Sequence, residues 1–235
     1  MNTHKTIGSA LDYVQANFGA FDFGNLLPHL RSFTKSELNE VAPIECNEPL
    51  VRIYETERII FIESTPVIDN PFFRERAWVK LQEASWFLPK GLGIGIIECL
   101  RPSERQRKLR EERFLVFKKL NPKLNETEIW KLVDTFIAGV GGPHQTGGAI
   151  DCTLVDLKTR KPLDMGSPKI GLDKSSYTAS NLVSLEAQVH RYILCVIMTY
   201  FGFRNYPAEW WHYEFGTKRH SRYMLFPNCM YDALV

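Results

Sequence analysis

The sequence predicts an α+β fold, a single domain in which helices flank a central, mainly antiparallel sheet. Residues 93–100 and 149–154 are short apolar runs that suit buried strands, whereas residues 74–88 carry apolar side chains at helical spacing. Hydrophobic residues make up 44% of the 235 residues and charged residues 24%, which is typical of a globular chain with a full core. No internal repeat or long linker interrupts the sequence, so one domain with an N-terminal extension is the simplest organisation.

The N-terminal extension is assigned to residues 1–50, and the main domain to residues 51–235. Within the extension, residues 7–18 fit a short amphipathic helix. Thr34 followed by Glu37 fits a capping box, in which each residue satisfies a backbone N–H of the other, so a second short helix is expected to begin there.

The main domain is predicted to begin with a strand pair in residues 51–63, where apolar and polar side chains alternate loosely. Two further capping boxes, Ser103 with Gln106 and Asn125 with Glu128, predict two helix starts. The predicted helices cover residues 74–88, 103–120, 125 to about 139, and 184–201, and residues 210–215 are predicted to form the final core strand.

Composition and charge exclude several classes of function. The net charge of +2 gives no electrostatic argument for nucleic acid or an anionic membrane. The longest apolar stretch, residues 192–203, is shorter than the ~18 residues that a membrane span needs, and residues 1–18 lack the apolar run of a secretory signal. The five cysteines include no C-x-x-C pair, so reduced thiols in a cytoplasmic protein are expected. Export by a route without a cleavable signal stays open.

A glycine-rich loop at residues 141–148 carries His144, and the strand after it carries Asp151. Small residues between two ligands let the backbone fold tightly, so that both side chains can reach one ion. Imidazole and carboxylate are both ligands that zinc accepts. The alternative interpretation is a plain loop histidine and a capping or solvated aspartate.

A second segment, Glu209 to Tyr213, offers His212 as a third ligand and a carboxylate three residues before it. Catalytic zinc sites commonly use three protein ligands, and a nearby carboxylate can take a proton from water. In a flat strand, residues three apart point to opposite faces, so the two side chains can share a site only if the chain bends. Pro207 makes such a bend plausible. The alternative is that Trp210 is a core aromatic and the histidine is incidental.

Arg101 ends the buried strand at residues 93–100 and precedes a predicted helix. An arginine at such a place can reach a cleft and stabilise a developing oxyanion. The alternative is an ordinary salt bridge.

Together these segments resemble the zinc D-Ala-D-Ala dipeptidases, the family of the vancomycin-resistance dipeptidase, within a wider group that includes D,D-carboxypeptidases and the hedgehog signalling domain. The pattern of that group is a histidine, six residues, an aspartate and a later histidine, which His144, Asp151 and His212 match. The dipeptidase branch adds Glu-Trp-Trp-His-Tyr, which stands intact from Glu209, and an Arg-Pro segment that Arg101 begins. The resemblance covers about half of the chain, residues 98–215.

The resemblance implies a role for each matching residue. His144, Asp151 and His212 are expected to bind one zinc ion in a cleft on the sheet, Glu209 to act as general base and acid, and Arg101 to stabilise the transition state. Residues 51–235 are then expected to be the catalytic domain. The expected reaction is hydrolysis of D-alanyl-D-alanine or a related D-amino-acid dipeptide.

Two departures from the family pattern bear on the substrate. Gly142 stands where the family usually has a serine, and Met165-Gly166 is not followed by the acid that helps to hold the substrate amino group. Asp173 is a candidate replacement for that acid. The alternatives are therefore a D,D- or L,D-carboxypeptidase or endopeptidase that acts on peptidoglycan stem peptides, or a non-catalytic, zinc-stabilised binding module. The oligomeric state is not predicted.

Overall fold

A computed structural model of the chain describes residues 30–139, 141–169 and 173–234, together with Asp12 and Ala16. The α-helices with bounds in these ranges are α1 (Lys35–Asn39), α2 (Glu75–Trp86), α3 (Ser103–Leu120), α4 (Glu126–Phe136), α5 (Leu185–Tyr200) and α6 (Lys218–Tyr223). The strands are β1 (Ala42–Pro43), β2 (Leu50–Arg52), β3 (Ile59–Phe61), β4 (Phe72–Arg74), β5 (Leu92–Glu98), β6 (Ala149–Asp156), β7 (Lys161–Pro162), β8 (Arg204–Asn205), β9 (His212–Glu214) and β10 (Asn228–Cys229).

The predicted α+β fold with a mainly antiparallel sheet is confirmed. The central six-stranded sheet has the order β3-β5-β6-β9-β8, with β7 paired to β6. In this sheet β3 and β5 run parallel, and the other pairs are antiparallel. The two strands predicted to be buried from their apolar composition are buried. All positions of β5 are buried, and so are all positions of β6 except its last.

The strand pair predicted for residues 51–63 is wrong as a pair. Strands form there, but β2 pairs with β4 in a separate two-stranded sheet, whereas β3 joins the central sheet beside β5. Ile59 and Ile60 of β3 are buried, so the position next to the apolar β5 removes them from water, which a local hairpin would not do. The strand predicted for residues 210–215 is shorter, and β10 follows it and pairs with β1.

The predicted capping boxes have two outcomes. Asn125 accepts a hydrogen bond from the Glu128 backbone at 3.0 Å, and the box is reciprocal, as it also is at the start of α1. The Ser103 box is wrong, because Pro102 occupies the cap position and Ser103 is the first helical residue. The Ser103 hydroxyl instead accepts a hydrogen bond from the Gln145 side chain at 2.6 Å.

The core lies between the central sheet and helices α2 and α5. Helix α5 begins at the cap residue Ser184, whose hydroxyl accepts a bond from the Ala187 backbone at 3.1 Å. Ile193 and Ile197 of α5 are fully buried, as is Leu154 of the sheet. Each such side chain stabilises the fold by roughly 1.5–3 kcal/mol through burial. A smaller cluster, centred on Phe117, Ile129 and Val133, joins α3 to α4.

The helix predicted for residues 7–18 lies outside the described residues, except for Asp12 and Ala16, which are helical. The domain boundary predicted at residue 50 stays a prediction. Residues before it do contact the main domain, since β1 pairs with β10. No helix among the described residues is long and apolar enough to cross a membrane.

Candidate functional site

His144 sits in a short 3₁₀ helix, Pro143–Thr146, directly before strand β6. Its Nδ1 lies 2.7 Å from the carbonyl oxygen of Cys99. Because a carbonyl can only accept, Nδ1 carries the proton and donates it, which leaves Nε2 with a free lone pair. That Nε2 lies 3.2 Å from Oδ1 of Asp151. The imidazole is therefore oriented by the main chain towards the carboxylate.

His212 reaches the same carboxylate from the neighbouring strand. The register of β6 and β9 places Asp151 opposite His212, and Nδ1 of His212 lies 2.9 Å from Asp151 Oδ1. The other ring nitrogen, Nε2, donates to Oε1 of Glu214 at 3.1 Å. One ligand atom from each of His144, Asp151 and His212 lies within 4.8 Å of the others, and all three residues are buried. The structure thus brings the predicted trio together.

This cluster passes a chemical test for a divalent metal such as zinc. Two imidazoles and one carboxylate make up a donor set that catalytic zinc sites use. In each histidine, one ring nitrogen points away from Asp151. That nitrogen is bonded to the Cys99 carbonyl in His144 and to the Glu214 carboxylate in His212. Such outer partners fix the tautomer and leave the inward nitrogen as the ligand.

The charges around the cluster shift its titration. Burial opposes ionisation of Asp151, yet the charge of Lys169 and the two histidines hold its pKa well below the usual range. Burial disfavours the charged form of His212, but hydrogen bonds to Asp151 and Glu214 raise its pKa to about 10. For His144 burial is the largest effect and lowers the pKa.

Glu209 lies in the loop between β8 and β9, three residues before His212. The chain turns there, because the Glu209 backbone N–H donates to Tyr206 at 2.9 Å and its carbonyl accepts from His212 at 3.2 Å. This turn is the bend that strand geometry demands if Glu209 and His212 are to share a site. Burial raises the pKa of Glu209 to about 7, with His212 lowering it and Asp151 raising it.

Arg101 follows strand β5 and makes the salt bridge that was its alternative interpretation. Its Nε and one terminal nitrogen bind the two oxygens of Glu98 at 2.8 and 2.7 Å. Its other terminal nitrogen donates to Gln106 at 2.9 Å. A guanidinium has five N–H donors, so two have no hydrogen-bond partner among the described residues. Its backbone N–H also donates to the His144 carbonyl at 3.2 Å, which holds Arg101 next to the 3₁₀ helix that carries His144.

Sequence reasoning missed two charged residues at this site. Lys169 Nζ lies 2.8 Å from Asp151 Oδ2 and 2.9 Å from Glu98. Glu214 binds His212 and is itself bonded to Thr217 and, at 2.9 Å, to Arg219. Glu214 could have been predicted, because it lies two residues after His212 in β9 and residues two apart in a strand point to the same face. Lys169 carried none, because its loop is remote in sequence from the strands it meets.

The two departures from the family pattern are visible in the structure. A Cβ on Gly142 would lie 2.9 Å from the Cβ of Ala138, so a serine needs that neighbour to shift. Asp173 is exposed, and its carboxylate accepts from the Ser175 backbone at 2.7 Å as a cap of a 3₁₀ helix. These contacts give Asp173 a structural role and leave its predicted substrate role untested.

The fold and the cluster define a class of protein, an α+β chain with a buried site of two histidines and one aspartate. A family model described as D-ala-D-ala dipeptidase matches residues 74–228. The chain belongs to this D-Ala-D-Ala dipeptidase family, and the resemblance that the motifs indicated is confirmed.

Curated relatives agree with the family. The chain is 41% identical over 70 residues to a D-alanyl-D-alanine dipeptidase of Enterococcus faecium, covering 30% of this chain and 35% of the relative. It is 40% identical over 75 residues to that of Escherichia coli strain K12, covering 32% and 38%. The aligned segments thus span little more than a third of the length of these relatives.

Two solved structures are similar at low sequence identity. A zinc complex of the vancomycin-resistance D,D-pentapeptidase VanY aligns at 17% identity and a TM-score of 0.45, covering 82% of this chain and 96% of that one. A VanYB complex with D-Alanine-D-Alanine aligns at 17% identity and 0.45, covering 83% and 95%.

Proposed function

We propose that this chain is a zinc-dependent peptidase that hydrolyses D-alanyl-D-alanine or a related D-amino-acid dipeptide. The observation that carries the proposal is the convergence of ligand atoms from His144, Asp151 and His212 within 4.8 Å. The charges of His212 and Asp151 act on the Glu209 carboxyl, which supports its part in the proposal. Family membership and the names of the curated relatives support the reaction class. A cytoplasmic location and a catalytic domain over residues 51–235 are parts of the same proposal.

His144 and His212 would hold the metal through the nitrogens that face Asp151, and Asp151 through its carboxylate. A zinc ion in such a site supplies Lewis acidity, which polarises a carbonyl and makes a water more acidic. The outer bonds from His144 to Cys99 and from His212 to Glu214 keep the rings in place, so binding needs no reorientation.

Glu209 is the group that we assign to proton transfer. A carboxyl whose pKa is raised to about 7 can take a proton from water and return it to the leaving amine near neutral pH. Activity should therefore fall as pH drops below about 7, where Glu209 becomes protonated. Arg101, which is oriented by Glu98 and Gln106, stabilises the negative charge that develops on the scissile carbonyl oxygen.

The test is release of D-alanine from D-Ala-D-Ala by zinc-loaded protein, compared with Glu209→Gln and with chelator-treated protein. Loss of the general base should lower kcat by about 10²–10⁴ while the zinc content stays at one equivalent. Full activity in Glu209→Gln would show that the proposed base is wrong. Zinc binding without hydrolysis of any D-amino-acid peptide would favour the non-catalytic module.

A second candidate is a carboxypeptidase or endopeptidase that acts on longer, peptidoglycan-derived peptides. The observation that favours it is Lys169, whose ammonium group lies 2.8 Å from Asp151 and would repel the ammonium group of a free dipeptide bound near it. Comparing cleavage of free and amino-blocked D-Ala-D-Ala separates the two candidates.

A further inference from the structure

The two oxygens of the Asp151 carboxylate have different neighbours. Oδ1 lies 3.2 Å from Nε2 of His144 and 2.9 Å from Nδ1 of His212, so it is the oxygen that faces both histidine ligands. Oδ2 lies 2.8 Å from Nζ of Lys169. An ammonium group donates hydrogen bonds and has no lone pair with which to bind a metal. The carboxylate is therefore divided between the ligand trio and the lysine.

Lys169 is held beside Oδ2 by a second carboxylate. Its Nζ lies 2.9 Å from Oε2 of Glu98, which is buried. Glu98 is fixed in turn by Arg101, whose Nε and one terminal nitrogen bind the two carboxylate oxygens at 2.8 and 2.7 Å. The ammonium group thus bridges two buried carboxylates, Glu98 and Asp151, and the charge of each opposes its departure.

The chain just before Lys169 is also fixed by hydrogen bonds. The buried guanidinium of Arg191 donates to the Met165 carbonyl at 2.7 Å and to the Ser167 hydroxyl at 3.1 Å. The indole N–H of Trp210 donates to the same hydroxyl oxygen at 3.1 Å. The position of Lys169 is therefore set by the packing of its loop as well as by its ion pairs.

The ion pair at Oδ2 bears on how Asp151 can bind a metal. A carboxylate binds a metal ion through one oxygen or through both. Binding through both would add a ligand atom and fill a position that catalytic zinc sites leave to water or substrate. A metal ion that bound Oδ2 would have to displace the Lys169 ammonium, and the two positive charges would repel each other. The lysine therefore favours binding through Oδ1 alone.

We propose that Lys169 is a positioning residue that occupies Oδ2 of Asp151 and so restricts this metal ligand to one oxygen. This inference rests on the proposed function and adds to it a residue that acts through a metal ligand. A lysine that only neutralised the two acids would change the affinity for the metal but not the number of ligand atoms. The number of ligand atoms is therefore the quantity that tests the proposal.

The first measurement compares the wild type with Lys169→Met, each loaded with one equivalent of cobalt(II) in place of zinc. Visible absorption by cobalt(II) is stronger with four ligand atoms than with five or six, because a tetrahedral site has no centre of symmetry. The wild type should give the strong spectrum. Lys169→Met should give a weaker one, because Oδ2 of Asp151 can then bind the metal as well.

Zinc affinity gives a second readout that does not depend on turnover. Lys169→Met should bind zinc about tenfold more tightly or better, because a positive charge leaves the neighbourhood of a divalent ion and a second oxygen can join it. Its kcat for D-Ala-D-Ala should fall, since an open position is filled. Lys169→Arg should keep the wild-type spectrum and affinity, because a guanidinium also donates to a carboxylate. Lys161→Met, the same change of charge on the exposed strand β7, should alter neither.

Three outcomes would overturn the assignment. A weak cobalt spectrum in the wild type would do so without any variant, and therefore even if Lys169→Met did not fold. An unchanged spectrum in Lys169→Met would reduce the lysine to a counter-ion, and weaker zinc binding would reduce it to a support of the loop. The expected spectra and affinities in a protein that hydrolyses no D-amino-acid peptide would refute the peptidase proposal and leave the Lys169 assignment standing.

Discussion

The two histidines of the cluster are the same residue type held by opposite means. His144 donates to a main-chain carbonyl, that of Cys99, whereas His212 donates to a side-chain carboxylate, that of Glu214. Accordingly burial dominates at His144 and lowers its pKa, while at His212 the acids outweigh burial and raise the pKa to about 10. A carbonyl fixes the direction of a ring without adding charge, and a carboxylate fixes direction and also makes the ring a stronger base.

The difference extends to the elements behind each ring. The His144 side is built from the end of β5 and the start of α3, which also present Arg101. The His212 side is built from β9 and α6, with Glu214 bonded to Arg219 at 2.9 Å. We therefore expect the His144 side to control the rate of the reaction and the His212 side to control the affinity for the metal.

The largest effect should come from Arg101 on the His144 side. Arg101→Met should lower kcat by about 10²–10³, equivalent to about 2.7–4 kcal/mol, because the developing oxyanion loses its donor. Zinc affinity, measured by competition with a chromogenic chelator, should change less than threefold. Gln106→Leu is the matched variant, since it keeps the arginine but removes the 2.9 Å bond that orients the guanidinium, together with a 2.6 Å bond from Gln106 to the Ala138 carbonyl. It should cost less. An unchanged kcat in Arg101→Met would limit this residue to its salt bridge with Glu98.

The next effect should appear on the His212 side. Glu214→Gln should weaken zinc binding by about 10–100-fold, because the outer carboxylate no longer supports the ring. The matched change on the other side, Cys99→Ala, should leave zinc affinity within a few-fold, since the acceptor there is the main chain. Equal losses in the two variants, measured by the same competition assay, would remove the distinction between the sides.

A smaller effect, on stability, is expected from the backbone at Gly148, where the chain before β6 lies against the chain after β9. Gly148 precedes β6, and a Cβ there would meet the Phe215 carbonyl and lie 2.7 Å from the Tyr231 ring. Gly148→Ala should therefore lower the free energy of unfolding by about 1–3 kcal/mol, the usual cost of overpacking. Gly139→Ala is the control, because a methyl group there would meet no heavy atom of the described residues within 4 Å, apart from its chain neighbours. Urea denaturation of both variants checks the difference.

The sequence predicted the parts of this comparison that depend on local pattern. Asp151 and His212 follow from a family motif, and their strands follow from apolar runs. The pairing of residues 51–63 did not follow, because strand partners are chosen by burial across the whole fold rather than by the local alternation. The charged side chains that surround the predicted ligands were harder still to predict from the sequence. Lys169 meets Glu98, 71 residues away in sequence, and nothing near it in sequence indicates that contact.

Capping patterns show the same limit on a smaller scale. The Asn125 box formed as predicted because both of its partners are local. The Ser103 and Gln106 side chains instead bind groups that are distant in sequence, the Gln145 amide and the Ala138 carbonyl. Where a local bond and a tertiary bond compete for one side chain, the sequence pattern alone does not decide between them.

The smallest effect should be on the pH dependence of stability, and it should come from His220 in helix α6, on the His212 side of the site. His220 of α6 is 5% exposed, and its Nδ1 has no hydrogen-bond partner among the described residues. Burial, with a contribution from the charge of Arg204, lowers the pKa of His220 to about 4. Between the unfolded value of about 6.5 and this folded value, only the unfolded chain binds the proton, so stability falls as pH falls through that window. The slope from this group is at most about 1.4 kcal/mol per pH unit. His220→Gln should therefore lose less stability than the wild type between pH 7 and pH 5 in urea denaturation, whatever its stability at pH 7. Parallel losses in the two proteins would show that His220 takes up its proton without unfolding.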